Sequence, residues 1–210
     1  MPEAIMLAQI DPEDEVASPS DGRHRRTDAS KARIVAAMID LVREGVVAPR
    51  AEVVAERAGV GLRTVFRLFR DMDSLYGEMH CDVMAATEPL FNAPLPETEW
   101  PARFKALAQR RATVFEQILP LQIAGEIQRH RSSFLQASHQ SFVRMQRKLV
   151  EQTLPDWLRA DPQAVDALDA ALCFDTWKHL RVHNGRSVVD AAAIVWRLVV
   201  PFTVVSDTNR

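Results

Sequence analysis

The sequence predicts an all-α chain of about nine helices, and three observations carry that reading. Apolar residues recur at three- and four-residue spacing along most of the chain, and no stretch shows the strict alternation of a strand. Seven glycines and a single tyrosine sit among abundant Ala, Leu, Arg and Glu, a composition that favours helix over sheet. Finally, AEVVAERAGVGLRTVFRL, from Ala51 to Leu68, has the spacing of two short helices joined by a tight turn.

Taken in order, residues 1–26 are rich in Pro, Asp, Ser and Glu and are expected to be a disordered arm, acidic and then basic. The first helix is expected from about Asp28 to Glu44, with Ile34, Met38 and Leu41/Val42 inward and Gly45 as its stop. Pro49 suits the first turn of a second helix ending at Gly59. A third runs from Leu62 to Leu68, and a fourth begins at Asp73 or Ser74 with Leu75, Met79, Val83 and Leu90 periodic along it. Pro94 and Pro96 make residues 92–101 a stiff connector. The fifth helix (102–119) carries the stripe Phe104, Leu107, Arg111, Phe115, and Pro120 is expected to break it from a short sixth (121–128). A seventh follows over 132–154 with Phe134, Phe142, Met145 and Leu149. Asp161 as N-cap and Pro162 in the first turn open an eighth, ending near Asn184–Gly185. Ser187 and Asp190 resemble a capping box opening the ninth.

The Ala51–Leu68 stretch carries the chemistry. Val54, Ala55 and Ala58 form an inward stripe, and small Ala55 and Ala58 let two helices cross closely. Gly59 stands where a chain leaving a helix needs positive φ. Val60 plugs the turn, and Val65 and Leu68 face back from the second helix. Left outside are Arg63, Thr64 and Arg67, with Arg70 just beyond, donors suited to guanine edges and phosphate oxygens. This is the pattern of a helix-turn-helix, whose second helix enters the major groove of DNA; a plain helical hairpin with a solvated basic face has the same spacing.

Charge distribution favours the first reading. The whole chain carries a formal net charge of −2, yet residues 21–70 hold eleven Lys/Arg against six Asp/Glu, while residues 1–20 hold five acids and no base. The positive charge is thus concentrated on the segment with the motif, as a phosphate backbone requires. Arg23, His24, Arg25 and Arg26 form a basic run ahead of the first helix, placed like an arm reaching a neighbouring groove. Arg50 lies at the opening of the second helix.

Residues Arg33 to Leu75 resemble the TetR family of bacterial transcriptional regulators. Gly59–Tyr76, GVGLRTVFRLFRDMDSLY, is similar to that family's signature, with Ala55, Gly59, Val60, Thr64, Phe69 and Leu75 matching. The resemblance implies a DNA-binding head (27–72) followed by a helical effector-binding and dimerisation domain (73–210). It implies a homodimer on a palindromic operator, released by a small-molecule effector; repression is the expected mode, since a bound dimer needs only to obstruct polymerase. Departures stand beside the matches. Gly61 replaces a usual capping serine, Phe66 a usual tyrosine and Met72 a usual lysine, while Arg63 takes a usually small position and Arg70 one often held by proline. Arg63, Arg67 and Arg70 are expected to restore the lost phosphate contacts. The DNA-binding set is therefore Arg25, Arg26, Arg50, Gly61, Arg63, Thr64, Phe66, Arg67 and Arg70. The competing reading is a ligand-binding or interaction protein of the same fold whose head binds DNA weakly and without specificity.

The eighth and ninth helices point to the dimer. The eighth carries Val165, Leu168 and Leu172 on one face and Phe174 and Trp177 on another; the ninth is apolar nearly all round. Helices covered on both sides are expected to pair with a two-fold copy in a four-helix bundle. For the effector, the resemblance implies a cavity between the fifth, seventh and eighth helices, lined by Phe104, Arg111, Phe115, Phe134, Phe142 and Trp177; the same aromatic stripe also suits plain core. Arg111 either meets an acidic ligand, pairs with Glu116 or Glu126, or snorkels to solvent.

No cofactor is expected. His179 and His183 lie i, i+4 and His80 adjoins Cys81, but no third acidic ligand accompanies them, so no metal site is expected. No glycine-rich phosphate loop, GxSxG or HExxH occurs, so no enzyme is expected. Two cysteines are too few for a disulfide framework. The acidic N-terminus is unlike a secretory signal, and the apolar stretch near Ala191–Val205 is interrupted by Arg197 and Pro201; the expected location is the cytoplasm, without membrane contact.

Overall fold

In the computed structural model, which describes residues 19–96 and 98–203, the stripe Ile34, Met38, Leu41 forms the inner face of a long first helix. Ten α-helices follow one another with no strand among the described residues, as expected for an all-α chain. They are α1 (Pro19–Arg43), α2 (Ala51–Ala58), α3 (Leu62–Leu68), α4 (Met72–Asn92) and α5 (Ala102–Arg129). After these come α6 (Ser133–Thr153), α7 (Asp156–Arg159), α8 (Pro162–Leu172), α9 (Phe174–Lys178) and α10 (Val188–Thr203). A π-helical turn, His179–His183, extends α9.

Helix α1 begins at Pro19 rather than near Asp28, so Arg25 and Arg26 stand on exposed turns of a helix instead of in a disordered arm. The physical reason is cooperativity: with Ile34–Val42 buried, each further residue toward the N-terminus costs only its own ordering, and Pro19 suits a first helical position. The acidic residues 1–18 lie outside the described residues. Helix α1 packs on α2, α3, α4 and α5, so one continuous core joins the head to the rest.

Helix α4 starts at Met72, slightly earlier than expected, because Asp71 is its cap. The Asp71 carboxylate accepts from the Ser74 N–H at 2.8 Å, and the Asp71 N–H donates to Ser74 Oγ at 3.2 Å, a reciprocal capping box. Leu75, Tyr76, Met79, Val83 and Phe91 are buried. Leu90 is exposed, since Phe91 continues the inward register four residues after buried Thr87. The expected division of the chain near residue 72 falls on the first turn of this helix.

The expected break at Pro120 does not occur: α5 is continuous for 28 residues, with Pro120 inside it. An internal proline costs about 3 kcal/mol through its lost N–H and its clash with the preceding turn. Ile118, Leu121 and Ala124 are all buried around it, and burying large aliphatic side chains at about 1.5–3 kcal/mol each offsets that cost.

The converse holds at Cys173. The eighth expected helix is broken there: α8 ends at Leu172, and Cys173 takes an extended conformation (φ −73°, ψ 160°) before α9 begins. The Thr176 N–H, which an unbroken helix would direct to the Leu172 carbonyl, goes to Cys173 Sγ at 3.4 Å. The Leu172 carbonyl accepts instead from Arg111 Nη1 at 3.0 Å. Asp161 caps α8 as expected, accepting from the N–H groups of Gln163 and Ala164. The one-turn helix α7 was not anticipated.

Helices α5 and α9 are fastened by Glu116, which accepts from Arg181 Nε (2.7 Å), Arg181 Nη2 (3.0 Å) and Trp177 Nε1 (2.8 Å). Those bonds, Arg181's foremost, hold its carboxyl below the ordinary value of 4.5 despite partial burial. A carboxylate depressed in the folded state contributes stability above its unfolded pKa and loses it as pH falls through the lower folded value. Glu116→Gln is therefore expected to lower stability by about 1–3 kcal/mol at pH 7. It is also expected to lose less than the wild type as pH then falls from about 5 to 3, the range below the ordinary carboxylate value. Urea titrations across that range measure both effects; equal acid sensitivity in the two proteins contradicts the assignment.

Candidate nucleic-acid interface

Two short helices and a left-handed turn build the exposed face of the head. Ala51, Val54, Ala55 and Ala58 bury one side of α2, and Gly59 ends it at φ 63°, ψ 39°, a conformation that only glycine enters without a Cβ clash. The Val60 N–H returns to the Ala55 carbonyl at 3.0 Å, closing the turn, and Val60 packs against the core. Val65 anchors α3 at 1% exposure, with Leu68 half-buried and Phe69 buried just beyond.

What remains outside is a basic face with an apolar centre. Arg63 and Arg67 are exposed one turn apart on α3, and Phe66 between them is 50% exposed; Leu62 is also exposed and Thr64 is half-buried. Gly61 is the N-cap of α3 and offers no side-chain bond to the first turn. The first turn of α3 is therefore left without a side-chain cap. Arg50 is exposed at the N-cap of α2.

The structure divides the sequence-predicted arginines. Arg63 and Arg67 share the exposed face of α3. Arg70 lies beyond the helix, where its Nε donates to the Asp71 carboxylate at 3.0 Å, so its charge supports the α4 cap. The Ser74 N–H and then Arg70 hold the Asp71 carboxyl below its ordinary value. Arg25 and Arg26 belong to α1 and stand on a separate element. Arg57, basic and close in sequence, is held by Glu44 through two bonds of 2.7 and 2.8 Å.

Contacts from the head reach α4 directly. Lys31 pairs with Glu78 at 2.6 Å while lying 5.9 Å from the Phe69 ring centroid, and Tyr76 Oη donates to the Val47 carbonyl at 3.3 Å. Sequence reading missed Tyr76, whose hydroxyl is the only handle that marks it apart from ordinary core.

The six expected effector residues are not gathered in one cavity. Arg111, Phe115 and Trp177 line a cavity of about 270 Å³ between α5, α8, α9 and α10. Phe134 and Phe142 line a wider groove of about 690 Å³ between α4 and α6, together with His80, Met84 and Met145. Phe104 lines neither; it is fully buried, with its ring centroid 5.1 Å from that of Trp100. The break at Cys173 separates these sites by turning Trp177 toward α5. Trp196 and Lys105 of the first cavity were missed, because their convergence depends on α10 folding back on α5.

Arg111 takes neither expected glutamate. It is 2% exposed and donates to the backbone carbonyls of Leu172 and Gln146, and its Nε has no partner. Burial lowers its pKa to about 10, opposed by the negative charge of Asp169. Glu116 serves Arg181, and Glu126 pairs with Lys178 at 2.8 Å. His179 and His183 have ring centroids 5.5 Å apart, but no group of three metal-ligating side chains forms among the described residues.

No family model and no curated protein matches the chain. Solved structures do. A candidate transcriptional regulator from Pseudomonas aeruginosa PAO1 is similar at TM-score 0.59 and 16% identity, over 88% of this chain and 93% of that one. SCO7518 from Streptomyces coelicolor A3(2), also described as a candidate transcriptional regulator, gives 0.54 and 18% over 80% and 97%. NalD, the secondary repressor of the MexAB-OprM multidrug efflux pump in Pseudomonas aeruginosa, gives 0.53 and 22% over 83% and 96%. The chain shares the fold of these regulators. Among its described residues no helix is long and apolar enough to cross a membrane.

At Gly61 the backbone (φ −72°, ψ 146°) suits any residue, and a Cβ there meets nothing within 4 Å. Gly61→Ser is expected to supply the missing cap and to stabilise the protein by about 0.3–0.8 kcal/mol. In a chain of this size that raises the melting temperature by about 1–3 °C, readable by circular dichroism; an unchanged or lower value contradicts the capping account.

Proposed function

We propose that this protein is a DNA-binding transcriptional regulator, a repressor, that holds a palindromic operator as a homodimer and is released by a small-molecule effector. The observation that carries the reading is α3 itself: Val65 fixes one side in the core while Arg63, Phe66 and Arg67 face solvent together. The guanidinium groups suit guanine edges and phosphates, and an exposed phenyl ring suits a thymine methyl. Effector coupling runs through α4, whose first turns are tied to the head by Lys31–Glu78 and Tyr76–Val47. A ligand that binds one position of α4 better than another changes the separation of the two recognition helices. No catalytic role is proposed.

The dimer reading rests mainly on α10. Ala191, Val195 and Val199 bury one stripe, while Val189 (77% exposed), Leu198 (49%) and Val200 remain outside. The second apolar face expected on the eighth helix is spent internally: Trp177 is buried and Phe174 packs edge-on against Phe115 at 5.5 Å. Leu198→Glu is expected to convert a dimer to a monomer in size exclusion with light scattering; a wild-type monomer at micromolar concentration removes the dimer from the proposal.

Uncapped α3 and the engagement of Arg70 with Asp71 favour the second reading, a head with weakened, non-specific binding. Fluorescence anisotropy on duplexes from the protein's own upstream region separates the two. Specific binding supports the regulator, and salt-sensitive binding indifferent to sequence supports the weakened head. Arg63→Ala and Arg67→Ala are each expected to reduce the salt slope by about 0.9 per lost phosphate contact. Arg70→Ala is expected to reduce it less, and unchanged slopes at both Arg63 and Arg67 remove α3 as the interface.

A further inference from the structure

We propose that the cavity between α5, α8, α9 and α10 binds a small carboxylic acid with an aromatic or branched apolar body, its carboxylate at the Arg111 end. As an effector site this rests on the regulator reading above; as a binding site it stands on its own geometry.

The walls are apolar: Phe115, Leu172, Trp177, Val195 and Trp196 contribute most of the bulk, with alanines between them. The ionisable side chains among the lining residues are Lys105, Arg111 and Cys173, and no Asp or Glu lines the cavity. Lys105 is exposed, with its Nζ 5.5 Å from the Trp196 ring centroid, which places a second cation beside the apolar wall. Arg111 is the deep cation. Among the described residues no carboxylate lies within ion-pairing distance of it, and Asp169 acts on it only from farther away. Backbone carbonyls take two of its nitrogens, leaving Nε unpartnered. A guanidinium held in low dielectric without a paired anion is the condition under which an arriving carboxylate gains most. An amine meets two like charges there, and a neutral amide gains neither attraction nor the full strength of a charge-assisted bond. At about 30 Å³ per water, the 270 Å³ space corresponds to about nine waters, so the ligand has roughly ten non-hydrogen atoms.

The position of the site also gives it a readout. Val195 and Trp196 belong to α10, the helix that leaves Leu198 and Val189 outside. An occupant therefore presses on the helix proposed to set the dimer geometry, in addition to α5.

The test uses the full chain without DNA and three probes that share one phenyl-and-chain body: 3-phenylpropanoate, 3-phenylpropanamide and 3-phenylpropylamine. Isothermal calorimetry is expected to show the acid binding at least tenfold more tightly than the amide, with the amine weakest. Arg111→Met is expected to close the gap between acid and amide. Should that variant not fold, Lys105→Gln narrows the same gap from the exposed cation, and Ala108→Phe, which fills the cavity without touching its charge, abolishes acid binding. Equal affinity for acid and amide, preference for the amine, no heat from any probe at millimolar concentration, or acid binding retained in Ala108→Phe each overturns the proposal. Acid binding by a protein that ignores every duplex keeps the site and removes the regulator reading, so the two fail separately.

Discussion

The guanidinium of Arg111, buried where α5 meets α6 and α8, takes backbone carbonyls as its acceptors, and the helix ends around it follow from that. A helix interior offers few free carbonyls, because each is committed to the N–H four residues on. The Leu172 carbonyl is freed by ending α8 there, and Thr176 gives its N–H to the Cys173 sulfur instead. The break re-aims α9, which brings Trp177 and Arg181 onto Glu116 of α5. The space left beside the redirected segment is the cavity that α10 closes. A helix boundary, an ion-pair cluster and a cavity thus meet around one buried charge.

A second constraint acts at the other end of α5. Helix α4 has a single buried stripe that must be covered by the head at its start and by α5 and α6 along its length. Its first residue is fixed by the Asp71–Ser74 box, and its first turns are tied to α1 and to the loop before α2. The core is continuous through this helix, so the body and the head share one packed surface. That is the mechanical basis on which effector coupling is proposed.

The exposed face of α3 shows a division of labour among arginines that charge counting alone does not reveal. Arg57 is bound by Glu44, and Arg70 is shared with the α4 cap, leaving Arg63 and Arg67 on the exposed face of α3 beside an exposed phenyl ring. A DNA interface on this face, as proposed, has fewer phosphate-directed groups than the local charge promises.

The sequence by itself determined the elements whose signals are local. Gly59 in the left-handed turn, the Val54–Ala58 and Val65 stripes, the Asp161 cap with Pro162 behind it, and the all-helical class each follow from backbone sterics or from one helix's periodicity. Tertiary structure alone decided where local propensity and packing disagree. Pro120 fails to break α5 because buried residues on both sides outweigh one lost hydrogen bond. Cys173, which carries no breaker signal, interrupts a good helical run because Arg111, distant in sequence, needs the carbonyl before it. Arg25 and Arg26 join a helix whose stability comes from residues a few turns later, and Phe104, Phe115 and Phe134, alike in their periodicity, end in core, cavity and groove. Periodicity says which residues face inward; only the neighbours supplied by the fold say what they meet there.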